Sequence, residues 1–188
     1  MAYTCIAPTC KTNRVESVKQ YDISRSKVAR GRVALFVDEG NLFHAAAALR
    51  IQVNYSRLLA YVTRGCQCSG AFFYTAVKSD EHKRQLQSQG SLRDYQIIDR
   101  QMIWYEDGSV KANLDVEIAS DIVSKAFQNL YDTAVLISGD GDFTYAVNKV
   151  REQGRRVEVI GLRRRTSRSL IAASDYYTDL SDIKQWVY

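Results

Sequence analysis

The sequence predicts an α/β fold in which helices cover both faces of a mainly parallel sheet. Four mainly apolar runs have the length of a strand: residues 33–37, 70–77, 133–137 and 157–160. Runs of this kind are typical of strands that are buried on both faces. Segments of helical character separate the runs, and strands that alternate with helices favour a parallel sheet.

The remaining predicted elements fill the intervals between these runs. Helices are predicted from alanine content, polar composition or apolar positions at helical spacing: residues 42–50, 55–63, 79–92, 116–130, 143–153 and 167–174. Shorter strands are predicted at residues 97–98, 102–105 and 176–180. Gly154 stands where a left-handed residue commonly ends a helix, and Asp107 with Gly108 predicts a turn.

The composition is that of one globular domain preceded by a basic extension. The chain has 188 residues, 46% of them hydrophobic, and no stretch approaches the roughly 18 apolar residues of a membrane helix. Residues 1–30 lack sustained apolar periodicity, so we expect an extension there and the domain at residues 31–188. They also lack the apolar core of a secretory signal, which indicates a cytoplasmic protein whose four cysteines are reduced thiols.

The net charge favours an anionic partner, with nucleic acid as the first candidate. The formal charge is +5 and the pI is near 9.0. Basic residues gather in the extension and near the C-terminus, where Arg163, Arg164 and Arg165 are expected to bind the substrate. The conspicuous acidic residues lie between the two groups, as a metal-dependent phosphodiesterase requires. An ordinary solvated surface is the alternative interpretation of either basic group.

Two aspartates directly follow buried strands. Asp38 comes after the first strand, and Asp140 comes after the third. Ligands of open α/β sheets bind beyond the carboxyl ends of the strands, so both carboxylates enter one crevice if these strands are neighbours. Asp142 lies two residues beyond Asp140, where it could bind a metal or cap the helix predicted from residue 143.

Two more aspartates belong to the helix predicted around residues 116–130. Asp115 stands at the helix N-terminus, where the helix dipole favours a carboxylate, and it is either a capping acid or a metal ligand. Asp121 follows six residues later, within about 120° of the same helix face. It is either a further metal-site residue or an ordinary polar position.

Three or four converging aspartates favour a bound divalent cation, because their charges otherwise repel one another. Mg²⁺ and Mn²⁺ prefer oxygen ligands and activate water for in-line displacement at phosphorus. The two histidines form no zinc motif, the cysteine spacing is unusual for a four-thiolate site, and no GxxxxGK[ST] loop is present. A phosphatase is disfavoured because Gly40 stands where a second acid is expected after Asp38.

Several motifs occur in a fixed order along the domain. They are VALFVDEGNL at residues 33–42, the segment 111–121, SGDGDF at residues 138–143 and GRRVEVIG at residues 154–161. Together with the closing segment 167–180, they resemble the NYN domain of the LabA/DUF88-like group, part of the PIN-like superfamily. The resemblance covers about residues 32–180 and leaves out the extension.

The resemblance implies a Rossmann-like, three-layer α/β/α sandwich with an acidic Mg²⁺ or Mn²⁺ pocket and endoribonuclease activity on RNA. The catalytic residues and metal ligands would be Asp38, Asp115, Asp140 and Asp142. Asn41 would orient phosphate or water, Ser138 would place a hydroxyl beside the metal, and Lys111 would meet a substrate phosphate. A catalytically weak RNA-binding or regulatory NYN module is the alternative function, and a homodimer is left open.

Overall fold

The computed structural model describes residues 30–104, 110–111 and 113–188. Except for Arg30, the expected extension lies outside the described residues, and so does the turn predicted at Asp107 and Gly108. At residues 104, 110 and 111 only the backbone is described. The domain itself is therefore almost fully described.

A parallel six-stranded sheet forms the centre of the domain, in the order β3-β2-β1-β6-β7-β8. Its strands are β1 (Arg32–Asp38), β2 (Gln67–Val77), β3 (Gln96–Gln101), β6 (Thr133–Ile137), β7 (Arg156–Gly161) and β8 (Tyr176–Asp179). Two short strands, β4 (Ile103–Trp104) and β5 (Val110–Lys111), form a separate antiparallel pair. The predicted α/β fold with a mainly parallel sheet is confirmed.

Helices cover both faces of the sheet and complete a three-layer sandwich. They are α1 (Glu39–Leu49), α2 (Tyr55–Thr63), α3 (Asp80–Ser88), α4 (Asp115–Phe127), α5 (Thr144–Glu152), α6 (Arg168–Ala173) and α7 (Leu180–Val187). Apolar residues of α1, α2 and α7 share one buried cluster with the sheet, and those of α4, α5 and α6 share the other. Within the described ranges, no helix is long and apolar enough to span a bilayer.

Strand β1 shows how the sequence is divided between the two layers. Val33, Leu35 and Val37 belong to the cluster of α1, α2 and α7, whereas Ala34 and Phe36 belong to the cluster of α4, α5 and α6. Successive side chains of a strand point to opposite faces. Because both faces are covered by helices, the five inner positions of this strand, residues 33–37, are all apolar.

The start of α1 and the presence of α7 are the main differences between the helices and the sequence prediction. Helix α1 begins at Glu39, directly after β1, because Asp38 caps it through a hydrogen bond from the Asn41 backbone N–H. Helix α7 was not predicted from the sequence. Asp179 caps it by accepting a hydrogen bond from the Ser181 N–H, and its buried positions recur at helical spacing. The left-handed conformation expected at Gly154 is present, with a φ of 70°.

Arg30, the last residue of the expected extension, is buried inside the domain. Its guanidinium donates to both carboxylate oxygens of Glu158, at 2.9 and 3.1 Å, and to the Val62 carbonyl at 2.6 Å. Arg30 is 6% exposed and Glu158 is 1% exposed. The pair therefore joins the start of the domain to the interior of β7.

Candidate metal centre

The predicted site residues lie where the strand order reverses. Strands β1 and β6 are parallel neighbours, and Val37 is paired with Ile137 in their register. Asp38 and Ser138 therefore follow the last paired residues of two adjacent strands. A crevice forms at such a reversal because the connections of the two strands leave towards opposite faces of the sheet.

Asp38 is held in place by two hydrogen bonds. Its carboxylate accepts from the backbone N–H of Asn41 at 3.1 Å and from the hydroxyl of Ser138 at 2.9 Å. Burial raises the pKa of Asp38 above its ordinary value, the two hydrogen bonds oppose this change, and the negative charges of Asp115 and Asp140 add to it. Asp38 is therefore a fixed, partly desolvated carboxylate that faces other carboxylates.

The loop after β6 is fixed by one hydrogen bond to α1 and by another within the loop itself. The Asn41 side-chain oxygen accepts from the Gly139 N–H at 2.9 Å, and the Ser138 hydroxyl accepts from the Asp140 N–H at 3.1 Å. A Cβ atom at Gly139 would lie 2.4 Å from the Arg165 carbonyl oxygen, so only glycine fits there. Asn41 and Ser138 thus shape the acidic loop through hydrogen bonds.

Asp115, Asp140 and Asp142 form the acidic cluster. Each offers one carboxylate oxygen, and these atoms all lie within 4.8 Å of one another. Asp115 is the first residue of α4, where Leu114 occupies the cap position. Burial raises the pKa of the Asp115 carboxyl, and the charges of Asp140 and Asp142 raise it further.

The structure separates the capping role from the candidate ligand role at residues 140 and 142. Asp140 accepts the backbone N–H of Asp142 at 2.9 Å and caps the short 3₁₀ turn at Gly141–Phe143. Helix α5 begins only at Thr144, and Asp142 caps nothing there. The capping alternative considered for Asp142 therefore belongs to Asp140, which keeps its second oxygen for a ligand.

The donor set of the acidic cluster fits a hard divalent cation. All three members are carboxylates, which Mg²⁺ and Mn²⁺ accept and which give zinc no sulfur or imidazole ligand. Oxygens that share an ion at about 2.1 Å lie within roughly 4.2 Å of one another. Small side-chain rotations bring three atoms within 4.8 Å into that range. Asp38 lies beside the cluster and interacts with two of its members electrostatically.

A pocket of about 730 Å³ opens beside the cluster. Asp38, Asn41, Asp115 and Asp140 all line it. The pocket also contains residues that the sequence analysis did not select: Glu39, Phe43, His44, Tyr74, Thr75, Lys78, His82 and Met102. Glu39 could have been found from its position directly after Asp38, but the residues of β2 and α3 could not.

Asp121 and the remaining substrate-binding candidates lie outside the cluster. Asp121 accepts the Tyr74 hydroxyl at 2.7 Å, which joins α4 to β2, and pairs with Lys125 of its own helix at 3.0 Å. The side chain of Lys111 is outside the described residues. Four of the five residues predicted to bind a metal therefore lie in the acidic cluster or beside it, and Asp121 lies outside it.

The basic run at residues 163–165 forms a short 3₁₀ turn that packs against the acidic loop. Its connection to α6 is fixed by the Ser167 N–H, which donates to the Gly139 carbonyl at 2.9 Å. Arg163 lies over the Tyr177 ring, with 5.1 Å to the centroid, and Arg164 donates to the Ala48 carbonyl at 3.2 Å. The three side chains are exposed, and none of them lines the pocket.

Comparisons with known proteins agree with this architecture. The family model described as NYN domain matches residues 32–181. The chain is 29% identical over 164 residues to the low amplitude and bright protein LabA of Synechococcus elongatus, a match that covers 83% of this chain and 87% of LabA. It is 23% identical to an uncharacterized protein of Methanocaldococcus jannaschii, over 87% of this chain and 61% of that protein.

A solved structure has the same fold. The crystal structure of a protein of unknown function from Vibrio parahaemolyticus superposes with a TM-score of 0.71 and 27% sequence identity. The match covers 87% of this chain and 99% of that protein. The fold of this chain therefore recurs in an experimentally determined structure.

Proposed function

We propose that this chain, which belongs to the NYN domain family, is a metal-dependent endoribonuclease. It hydrolyses RNA phosphodiester bonds at the cluster of Asp115, Asp140 and Asp142, with Asp38 beside it. The observation that carries this proposal is the approach of three carboxylate oxygens to within 4.8 Å at the mouth of an open pocket. Such an arrangement is unfavourable without a cation, since like charges at short distance repel.

Each residue of the site has a distinct task in this proposal. Asp115, Asp140 and Asp142 would hold a Mg²⁺ or Mn²⁺ ion, and Asp38 would bind it or a water molecule beside it. An ion held there supplies positive charge for the phosphate oxygens and lowers the pKa of a bound water. Ser138 fixes the carboxylate of Asp38, and Asn41 fixes the loop that carries Asp140. These two residues position the ligands.

The surroundings of the cluster suit a polyanionic substrate. The protein carries a formal charge of +5 although its candidate centre is acidic. The exposed arginines of residues 163–165 lie next to the loop at Gly139, which precedes two of the ligands. Phosphates on either side of the cleaved bond would meet these arginines, which favours a polynucleotide over a small phosphate ester.

A cleavage assay tests the proposal. Purified protein is incubated with matched single-stranded RNA and DNA oligonucleotides in Mn²⁺, in Mg²⁺ or with EDTA. We expect cleavage of the RNA with either ion, none with EDTA, and none from the Asp140→Asn and Asp38→Asn variants. Asp94→Asn, an exposed aspartate outside the pocket, serves as the matched control and should retain full activity.

Two other results would replace the proposal. RNA binding without cleavage under every metal condition favours the catalytically weak, RNA-binding or regulatory NYN module. Cleavage that persists in EDTA, or in both variants of the acidic site, contradicts a metal centre at these residues. Circular dichroism and thermal melting of each variant show whether a loss of activity comes from a loss of fold.

A further inference from the structure

We infer that the pocket beside the acidic cluster recognises a guanine base of the RNA through the carboxylate of Glu39. This inference rests on the proposed ribonuclease function and adds a base preference to it. Glu39 directly follows Asp38 and lines the same pocket, so a base bound there lies next to the phosphate at the cluster. The other carboxylates that line the pocket, those of Asp38, Asp115 and Asp140, belong to the candidate metal centre or lie beside it.

The carboxylate of Glu39 is partly desolvated and only partly satisfied by the protein. The Thr75 hydroxyl donates to Glu39 Oε2 at 3.3 Å. Among the described residues, Glu39 Oε1 receives no hydrogen bond, and it belongs to a side chain that lines the pocket. A partly buried acceptor with free lone pairs is most stable when a ligand supplies the missing donors.

The neighbouring imidazoles of His44 and His82 do not supply the missing hydrogen-bond donors. His44 and His82 line the same pocket as Glu39. Neither of them donates a hydrogen bond to the carboxylate within the described part of the chain. His82 Nδ1 instead accepts the backbone N–H of Lys78 at 3.4 Å. The acceptor face of Glu39 therefore stays available to a ligand.

The rest of the pocket wall suits a flat aromatic ring. Phe43 lines the pocket and is 61% exposed, which is unusual for a phenylalanine and leaves a ring face free for stacking. Met102, between β3 and β4, is half-buried and adds apolar surface to the same pocket. The volume of about 730 Å³ lies within the usual range of roughly 300–1,000 Å³ for ligand pockets.

Guanine is the base that matches a carboxylate. An ionised carboxylate only accepts hydrogen bonds and can accept two in parallel. Guanine presents two adjacent donors on its Watson–Crick edge, N1–H and the N2 amino group. Adenine, cytosine and uracil each present one donor next to an acceptor on that edge, and the acceptor would repel the second carboxylate oxygen. The pairing thus selects guanine by its donors and rejects the other bases by repulsion.

The test compares short oligoadenylate RNAs that carry guanosine, inosine or adenosine at one internal position. Inosine keeps N1–H but lacks the N2 amino group, so it removes one of the two proposed hydrogen bonds. With Mn²⁺, kcat/KM for cleavage beside guanosine should exceed that beside adenosine by at least about fivefold, with inosine between them. In the Glu39→Gln variant the ratio should fall below about twofold, because an amide presents one acceptor and one donor.

Two further variants separate base recognition from general effects. Phe43→Leu should raise KM for all three RNAs and leave the guanosine-to-adenosine ratio unchanged, because stacking does not distinguish these bases by their edges. Glu152→Gln, an exposed glutamate at the far end of α5, is the matched control and should retain both the rate and the ratio. Melting temperatures confirm that each variant is folded.

The outcomes for the inference and for the proposed function are distinguishable. Equal cleavage beside all three bases, or a preference that survives in Glu39→Gln, overturns the guanine inference and leaves the ribonuclease proposal intact. Absence of cleavage for every RNA contradicts the ribonuclease proposal. Fluorescence anisotropy with the same RNAs then decides the inference: tighter binding of the guanosine strand that is lost in Glu39→Gln supports it, and equal affinities overturn it.

Discussion

Replacing Asp140 with asparagine should remove most of the thermal stabilisation that a divalent cation gives to this protein. The substitution keeps the size of the side chain, and the asparagine oxygen can still accept the Asp142 N–H that Asp140 accepts at 2.9 Å. It also removes one of three closely spaced negative charges. The melting temperature of the metal-free variant should therefore equal or exceed that of the wild type.

The size of the metal effect follows from mass action. At an ion concentration of about 100 times its Kd, binding stabilises the folded state by about 2.7 kcal/mol. For a chain of 188 residues, each kcal/mol shifts the melting temperature by roughly 2–4 °C, which gives about 5–11 °C. If the loss of one carboxylate weakens binding about 100-fold, the remaining stabilisation is about 0.4 kcal/mol, or roughly 1 °C.

Differential scanning fluorimetry with increasing Mn²⁺ measures this effect directly. The wild type and Asp94→Asn should show the full increase in melting temperature, and Asp140→Asn should show almost none. An equal increase in all three proteins would place the ion elsewhere and refute the assignment of the acidic cluster. A metal-free Asp140→Asn protein that melts many degrees lower would show that the carboxylate is needed for the fold itself.

Three further predictions concern residues around the site and in the framework. Arg165→Gln should weaken RNA binding and lower the slope of log Kd against log salt by up to roughly 0.7, the value for one phosphate contact on a single strand. Asp132→Asn should remove acid sensitivity between pH 3.8 and about 2, because the hydrogen bond from the neighbouring Arg32 side chain lowers the pKa of Asp132 to about 2. The stability that Asp132 contributes is present above its unfolded pKa and is lost as the pH falls through the folded pKa. Arg30→Met should lower the free energy of unfolding by up to about 3 kcal/mol, because it removes the bidentate partner of the buried Glu158 carboxylate and leaves only Arg156, whose Nε lies 2.8 Å from Glu158 Oε1.

Each of these predictions has its own control. Arg93→Gln, at an exposed arginine outside the metal pocket, should leave RNA affinity and its salt slope unchanged. An acid unfolding curve of Asp132→Asn that coincides with the wild-type curve contradicts the role of the Asp132 pair. Arg30→Met combined with Glu158→Leu should recover much of the lost stability, whereas no recovery would show that Arg30 acts through other contacts.

The sheet could be predicted from the sequence because its central strands are buried on both faces. Val33 to Val37 and Thr133 to Ile137 are apolar at every position, which leaves little doubt about length or type. The pairing of β1 with β6, by contrast, depends on long-range contacts that single segments do not encode. Once those strands are neighbours, the approach of Asp38 to Asp140 follows from their positions after the strand ends.

The parts of the site that escaped prediction depend on contacts between distant segments. Asp121 has the expected helical spacing from Asp115, but Tyr74 of β2 and Lys125 of α4 occupy its carboxylate. Glu39 directly follows Asp38 in the sequence, but the helix was expected from residue 42, whereas Glu39 is the first residue of α1. The structure adds that Glu39 accepts a hydrogen bond from Thr75 of β2, a contact between segments that are distant in the sequence.

The exchange of capping roles at the acidic loop has a similar cause. From the sequence, the helix after β6 was expected from residue 143, which made Asp142 the nearest capping candidate. A 3₁₀ turn intervenes before α5, and Asp140 caps that turn instead. The turn projects Asp142 towards Asp140 and Asp115, so the local backbone detail decides which aspartate completes the cluster.

Phosphorothioate substitution at the cleaved bond tests most directly whether an ion at the acidic cluster contacts the phosphate during the reaction. Mg²⁺ coordinates oxygen strongly and sulfur weakly, whereas the softer ions Mn²⁺ and Cd²⁺ accept sulfur better. We predict that sulfur at one non-bridging position abolishes cleavage with Mg²⁺, that Mn²⁺ or Cd²⁺ restores it in the wild type, and that neither restores it in Asp140→Asn. Cleavage that is insensitive to sulfur at either position, or a loss that no softer ion restores, would contradict a metal-dependent ribonuclease centred on these aspartates.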